Sequence, residues 1–147
     1  MPLITPPQQH QLIENHRIAN EIESTGGNSW RVICPVALLH TPRMQIGSPG
    51  AWESCRGTWL LIDARPDADT VGMLGDLGFG VAEYGVTSLK SLERIGPGPN
   101  SQAVTALPFS PVHPVDVYYL AARIAGRITT KTADLMAAAR RLAEGKA

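Results

Sequence analysis

Five carboxylates fall within 21 positions of this chain: Asp63, Asp67, Asp69, Asp76 and Glu83. Carboxylates grouped in this way can hold a hard cation or divide the roles of general acid and general base. Asp76 and Glu83 flank the tripeptide Gly78-Phe79-Gly80 and are the candidate catalytic pair. A structural reading takes precedence over this one. In it Asp76 accepts from the N–H groups of a turn, while Asp67 and Asp69 stay solvated in another. Asp67-Ala68-Asp69 lacks the glycine and distal glutamate of a calcium loop. No metal and no cofactor is expected.

Other chemistries lack their signatures. Gly78-Phe79-Gly80-Val81-Ala82-Glu83 carries glutamate where a dinucleotide fingerprint has its third glycine. The segment beyond Gly80 reads as a strand, so no helix N-terminus is there to receive a phosphate. There is no Gly-Lys-Ser or Gly-Lys-Thr for a P-loop and no Gly-x-Ser-x-Gly for a serine nucleophile. His10 and His16 are six apart on an expected helix and face different ways. Cys34 and His40 would share one face of an expected strand, with Cys55 in the loop beyond. Cys34 lies in an apolar run, however, and reads as an inert core residue rather than a nucleophile.

Two surface features remain. Trp52 sits in the Gly/Pro/Ser loop Gly47-Ser48-Pro49-Gly50-Ala51-Trp52-Glu53, bracketed by Arg43 and Arg56. Tryptophan and arginine are favoured hot-spot residues, so Arg43, Trp52 and Arg56 are the candidate partner-binding set. The second feature is basic. Residues 116–147 carry six bases against three acids. Arg123, Arg127 and Lys131 are four apart and would line one face of a continuous helix, with Arg140 and Arg141 beyond. This stripe could meet phosphates or an acidic protein, although a solvated polar face explains it and is preferred. No aromatic residue interleaves with these charges to stack single-stranded bases.

Pattern also gives the elements that must position these residues. Thr5-Pro6-Pro7 opens a helix running to about Ser24, with Leu12, Ala19 and Ile22 on one stripe and Ile18 beside it. Arg31 to His40 reads as a strand in which Pro35 marks an edge or bulge. Residues 41–56 read as a long loop. Thr58-Trp59-Leu60-Leu61-Ile62 is a strand whose unbroken apolar run predicts burial on both faces. Val71 to Leu77 and Val81 to Val86 form a hairpin around Gly78-Phe79-Gly80. Ser88 caps a short helix from Leu89 to Ile95, and Ala103 to Phe109 is a further strand. From Pro114 the pattern is helical, with Val117, Leu120, Ala121, Ile124 and Ile128 on one face. A break at Thr129 or Thr130 precedes a second segment, Thr132 to Glu144, that carries Leu135, Met136, Ala139 and Leu142.

The order of elements predicts an α+β fold: an antiparallel-rich sheet of four to five strands, an N-terminal helix and C-terminal helices. At 147 residues the chain suits a single domain over 1–147. A hydrophobic fraction of 44% and zero net charge fit a globular protein with no global field toward nucleic acid or membrane. No apolar run is long enough to span a bilayer, and the N-terminus has no export signal. A cytoplasmic protein with reduced thiols is the expectation.

The chain resembles a bacterial family common on conjugative plasmids and integrative elements, domain of unknown function 2958. The resemblance rests on Pro35-Val36, Leu39-His40-Thr41-Pro42, Thr58-Trp59-Leu60-Leu61 and Gly75-Asp76-Leu77-Gly78-Phe79-Gly80. It continues through Glu83-Tyr84-Gly85, Ser88-Leu89-x-x-Leu92-Glu93, Phe109-x-Pro111 and the tyrosines at 118 and 119. Residues 43–56 look like an inserted loop relative to that family, and residues 126–147 like a C-terminal helical extension. The resemblance implies a mobile genetic element as context and supplies no activity.

Three functions stand as expectations. The first is a non-catalytic interaction or regulatory protein of a mobile element that binds a still unidentified protein, a role that inhibiting a host defence complex would suit. The second is a nucleic-acid accessory protein using Arg123, Arg127, Lys131, Arg140 and Arg141. The third is a small hydrolase or metal-dependent enzyme using Asp76 and Glu83.

Overall fold

The structure, a computed structural model, describes residues 2–46, 53–98 and 101–145, with residues 45, 46, 53 and 54 described by backbone alone. Helix α1 spans Pro6–Ser24 and is followed by a 3₁₀ turn at Ser29–Arg31. The strands are β1 (Ala37–Ile46), β2 (Glu53–Ala64), β3 (Thr70–Asp76), β4 (Ala82–Ser88) and β5 (Thr105–Leu107). Helix α2 (Leu89–Glu93) lies between β4 and β5, and α3 (Val115–Ala125) and α4 (Thr132–Ala143) close the chain. The sheet order is β4-β3-β2-β1-β5, and every neighbouring pair is antiparallel. The α+β class, the N-terminal helix and the C-terminal helices are as the sequence predicts.

Local chemistry fixes the element ends. The Thr5 hydroxyl accepts from the Gln8 N–H while the Gln8 side chain accepts from the Thr5 N–H, a reciprocal cap that satisfies two orphan donors. The Asn28 side chain accepts from the Trp30 N–H and starts the 3₁₀ turn. Ser88 caps α2 by accepting from the Ser91 N–H.

The centre of the sheet is buried on both faces, which is why β2 reads as a continuous apolar run. Leu38, Leu60, Ile62 and Leu74 pack with α3, α4, Ala19 and Ile33. Ala37, Leu39, Trp59, Leu61 and Val71 pack on the other side with Leu12, Leu89, Leu92 and Val104. Burying leucines such as Leu60 and Leu61 completely stabilises the fold by about 1.5–3 kcal/mol each.

Four expectations are corrected. The strand expected over 31–40 begins only at Ala37; Ser29–Arg31 is a 3₁₀ turn, and Val36 reaches β2 through a single bond from its N–H to the Leu61 carbonyl at 2.8 Å. Most of the expected loop at 41–56 is strand, since β1 continues to Ile46 and β2 starts at Glu53. Pro42 is tolerated because the register shifts between Thr41 and Met44, so two residues oppose one and the missing N–H falls in a bulge. The helix expected to carry Arg123, Arg127 and Lys131 on one face ends at Gly126, which has a φ of 74° and donates to the Ala122 carbonyl. Ile124, assigned to the inward stripe, is exposed just before this break, and so is Met136 of α4.

A second bulge lies in β2. Leu61 pairs with Met73 and Asp63 with Gly72, leaving Ile62 without a partner across β3. The buried side chain of Asn15 answers it. Its Nδ2 donates to the Ile62 carbonyl and to the Cys34 carbonyl, both at 2.9 Å, while its oxygen accepts from Gln11 Nε2. α1 is thereby tied to the sheet centre and to the segment preceding β1.

Replacing Asn15 by alanine removes the side-chain donor of two carbonyls, one of them, that of Ile62, in a buried bond. We expect a loss of about 2–4 kcal/mol in urea unfolding, against under about 0.5 kcal/mol for Gln9→Ala on the exposed face. Equal stability of the two variants would contradict this role.

Candidate interaction surface

The β3–β4 turn runs through Gly78, Phe79 and Gly80, with φ of 87° at Gly78 and 84° at Gly80. Side-chain-bearing residues are strained there, so glycine is required at both corners. Between them the Phe79 ring is 58% exposed. The turn is not loose. Asp76, only 3% exposed, accepts from the Gly78 N–H at 2.8 Å with Oδ1 and from the Ile128 N–H at 3.0 Å with Oδ2. One buried carboxylate therefore joins the turn to the α3–α4 connection, satisfying two backbone donors far apart in sequence.

Arg56 lies alongside this turn, its side chain packed against Gly78. Arg43 comes from the β1 bulge, where its carbonyl accepts from the Gln102 N–H at 2.7 Å. Beneath it Thr41 is fully buried, with its hydroxyl donating to the Gln102 carbonyl at 2.8 Å. Arg43, Arg56 and Phe79 line one open cleft of about 430 Å³ together with Pro42, Cys55 and Leu77. The structure thus brings together two of the three residues expected to bind a partner. Trp52 lies outside the described residues. Phe79 is absent from the expected set, although an aromatic between two glycines in a hairpin turn is a readable signal.

The proposed catalytic pair is not assembled. Asp76 is opposite Ala82 and Glu83 opposite Gly75, so the two carboxylates leave opposite faces of the sheet. Asp76 is buried under the α3–α4 connection, whereas Glu83 is exposed. Asp67 is held below the usual carboxylate range by the Thr70 and Asp69 N–H groups, and Asp69 by the Ser88 hydroxyl and the Lys90 N–H. These carboxylates shape turns and cap α2. Among the described residues no three His, Cys, Asp or Glu side chains come together as a metal would need.

Cys34 precedes β1 rather than lying within it, so the shared strand face with His40 is lost. Burial pushes the Cys34 thiol up, the reverse of what an activated nucleophile requires. His40 Nδ1 is instead 2.9 Å from the Thr58 hydroxyl, across the β1–β2 ladder.

The five basic residues do not form one stripe. Arg123 lies in the last turn of α3, 5.6 Å over the Tyr119 ring, Arg127 and Lys131 flank the break, and Arg140 and Arg141 sit in the last turn of α4. Cations in the last turn offset the helix dipole, which accounts for Arg123, Arg140 and Arg141 without a ligand.

One cleft has no counterpart in the sequence reading. Glu23 of α1, Trp30 of the 3₁₀ turn, Asp63 of β2 and Tyr84 of β4 line a cavity of about 450 Å³. His16 Nδ1 approaches Asp63 Oδ2 at 3.4 Å. In the sequence Asp63 is only one of five acids, and no local signal joins it to Glu23 or Trp30.

Removal of the Asp76 carboxylate separates the structural role from the catalytic one. Asp76→Ala is expected to cost about 2–4 kcal/mol in chemical unfolding, and Glu83→Ala to stay within about 0.5 kcal/mol. A stable Asp76→Ala protein would contradict the turn-holding role.

Comparison with known proteins adds a family and no more. No curated protein and no solved structure matches the chain. The family described as "Protein of unknown function (DUF2958)" matches residues 3–129, a span that takes in α1, the whole sheet, α2 and α3 and leaves out α4. With well over half of its length matched, the chain belongs to the DUF2958 family.

Proposed function

We propose that the protein is a non-catalytic interaction protein of a mobile genetic element, acting in the cytoplasm, and that it grips a protein partner through the surface around Phe79. The observation that carries this reading is the exposed Phe79 ring, set on a turn held by Asp76 and flanked by Arg43 and Arg56. An aromatic anchor beside two guanidinium groups is the composition of an interface hot spot. A turn already fixed in the free protein loses little entropy on binding.

The adjoining edge strengthens the case. β4 is the last strand on its side of the sheet, so its outer N–H and C=O groups are unpaired by the sheet. Val81, Tyr84 and Val86 are exposed along it. A partner anchored on Phe79 can extend along this edge, and the arginine pair selects one with an acidic group near its contact point. No helix among the described residues is long and apolar enough to cross a membrane.

Tagged wild-type protein is expected to capture its partner from the native host's lysate. Phe79→Ser should weaken that complex by at least about tenfold, and Arg43→Glu with Arg56→Glu should do the same. All three side chains are at the surface, so the melting temperature should barely move. Loss of the partner in Arg140→Glu/Arg141→Glu with retention in Phe79→Ser would overturn the assignment in favour of the basic helix.

A further inference from the structure

We infer that the cleft between α1, the 3₁₀ turn and the sheet is a binding site for an organic cation, a guanidinium or alkylammonium head group. It does not rest on the Phe79 reading, although Tyr84 of β4 belongs to both surfaces. At about 450 Å³ it has the size of a small-ligand pocket. Two of its walls are aromatic: the Trp30 and Tyr84 rings meet at 5.4 Å with their planes 56° apart. Its charged lining groups are Glu23 and Asp63, and no lysine or arginine lines it.

Each carboxylate has one oxygen without a hydrogen bond among the described residues, that of Asp63 lying over Gly72 where the cleft meets a smaller cavity. Glu23 Oε2 accepts from the Ser29 hydroxyl at 2.6 Å, and Asp63 Oδ2 faces His16. Glu23 Oε1 and Asp63 Oδ1 accept no hydrogen bond from any described residue. Room for the Asp63 carboxylate comes from Gly72, since a methyl there would press on it and lie 2.9 Å from the Tyr84 hydroxyl. Burial pushes the Tyr84 phenol up, and the charges of Asp63 and Glu23 add to this while Arg65 opposes them. His16 and Arg65 line a smaller adjoining cavity of about 80 Å³ that shares Asp63 and Tyr84.

Aromatic faces and carboxylates together favour a cation over an anion or a neutral ligand. A metal ion is a poorer fit, because the described residues bring no third His, Cys, Asp or Glu side chain to the pair. The molecule already shows the preferred contact once: the Arg123 guanidinium lies 5.6 Å over Tyr119, whose ring meets Trp30 at 5.2 Å.

Titration of isotope-labelled full-length protein with agmatine, and separately with the blocked tripeptide Ala-Arg-Ala, tests the site by the Trp30 indole N–H resonance. Saturable shifts with a Kd on the order of 1 mM are expected. The norleucine and glutamate tripeptides should leave the resonance unmoved. Tighter binding of agmatine assigns a free cation and tighter binding of the peptide a protein side chain; either order supports the site. Glu23→Gln and Asp63→Asn keep the side-chain shapes and should each weaken binding by about fivefold or more. No shift from either cation at about 10 mM, an equal response to the glutamate tripeptide, or affinity unchanged in Glu23→Gln would overturn the proposal.

Discussion

The extra residue at Ile62 is the constraint on which the rest of the molecule depends. Side chains alternate along a strand, so inserting one residue exchanges the faces of everything beyond it. Leu60 faces the α3–α4 side, and through the bulge Asp63, opposite Gly72, returns to that same side. In a regular ladder Asp63 would share a face with Leu61, amid the apolar cluster around Leu39 and Val71. The bulge is held by Asn15, whose amide binds both the Ile62 and the Cys34 carbonyls. One side chain thus sets where α1 lies, where the chain enters β1, and which face the Asp63 carboxylate occupies.

Asp76 does comparable work at the other end of β3. Both residues are buried polar side chains committed to backbone groups from two separate segments. Among the described residues no buried side-chain nitrogen or oxygen lacks a partner. The polar interior is therefore occupied with holding the fold, and the groups left open to a ligand are at the surface. Phe79 with its two arginines, and the carboxylates of the cleft, are such groups. Rigid support beneath exposed anchors is what binding needs, since mobility there would be lost entropy on association.

Local features are legible in the sequence, and those that depend on distant segments or on bulges are not. The apolar run at 59–62, the Gly78-Phe79-Gly80 turn, the Thr5 cap and the Ser88 cap all announce themselves locally, and each is found. The preferred reading of Asp76 as an acceptor for turn N–H groups is likewise found, although its bond to Ile128 is not readable at 52 positions' separation. Residues 41–46 mislead because Pro42 reads as a strand breaker unless a bulge is foreseen. The basic stripe misleads because a spacing of four has meaning only on an unbroken helix, and Gly126 breaks it. The cleft of Glu23, Trp30, Asp63 and Tyr84 is invisible because it is assembled from four elements by a bulge that leaves no composition signal.

Arg43 and Arg56 are instructive for the opposite reason. In the sequence they bracket one loop, and they do meet, but through the β1 bulge and the β3–β4 turn. Phe79 is the residue they share, and the proposed partner binding is centred on it. Hydrogen–deuterium exchange of the full chain, free and bound to its captured partner, tests this most directly. Slowed exchange over 77–81, accompanied by Arg43 and 55–56, is the predicted footprint. Slowed exchange confined to α3 and α4, with the turn exchanging as in the free protein, would contradict it.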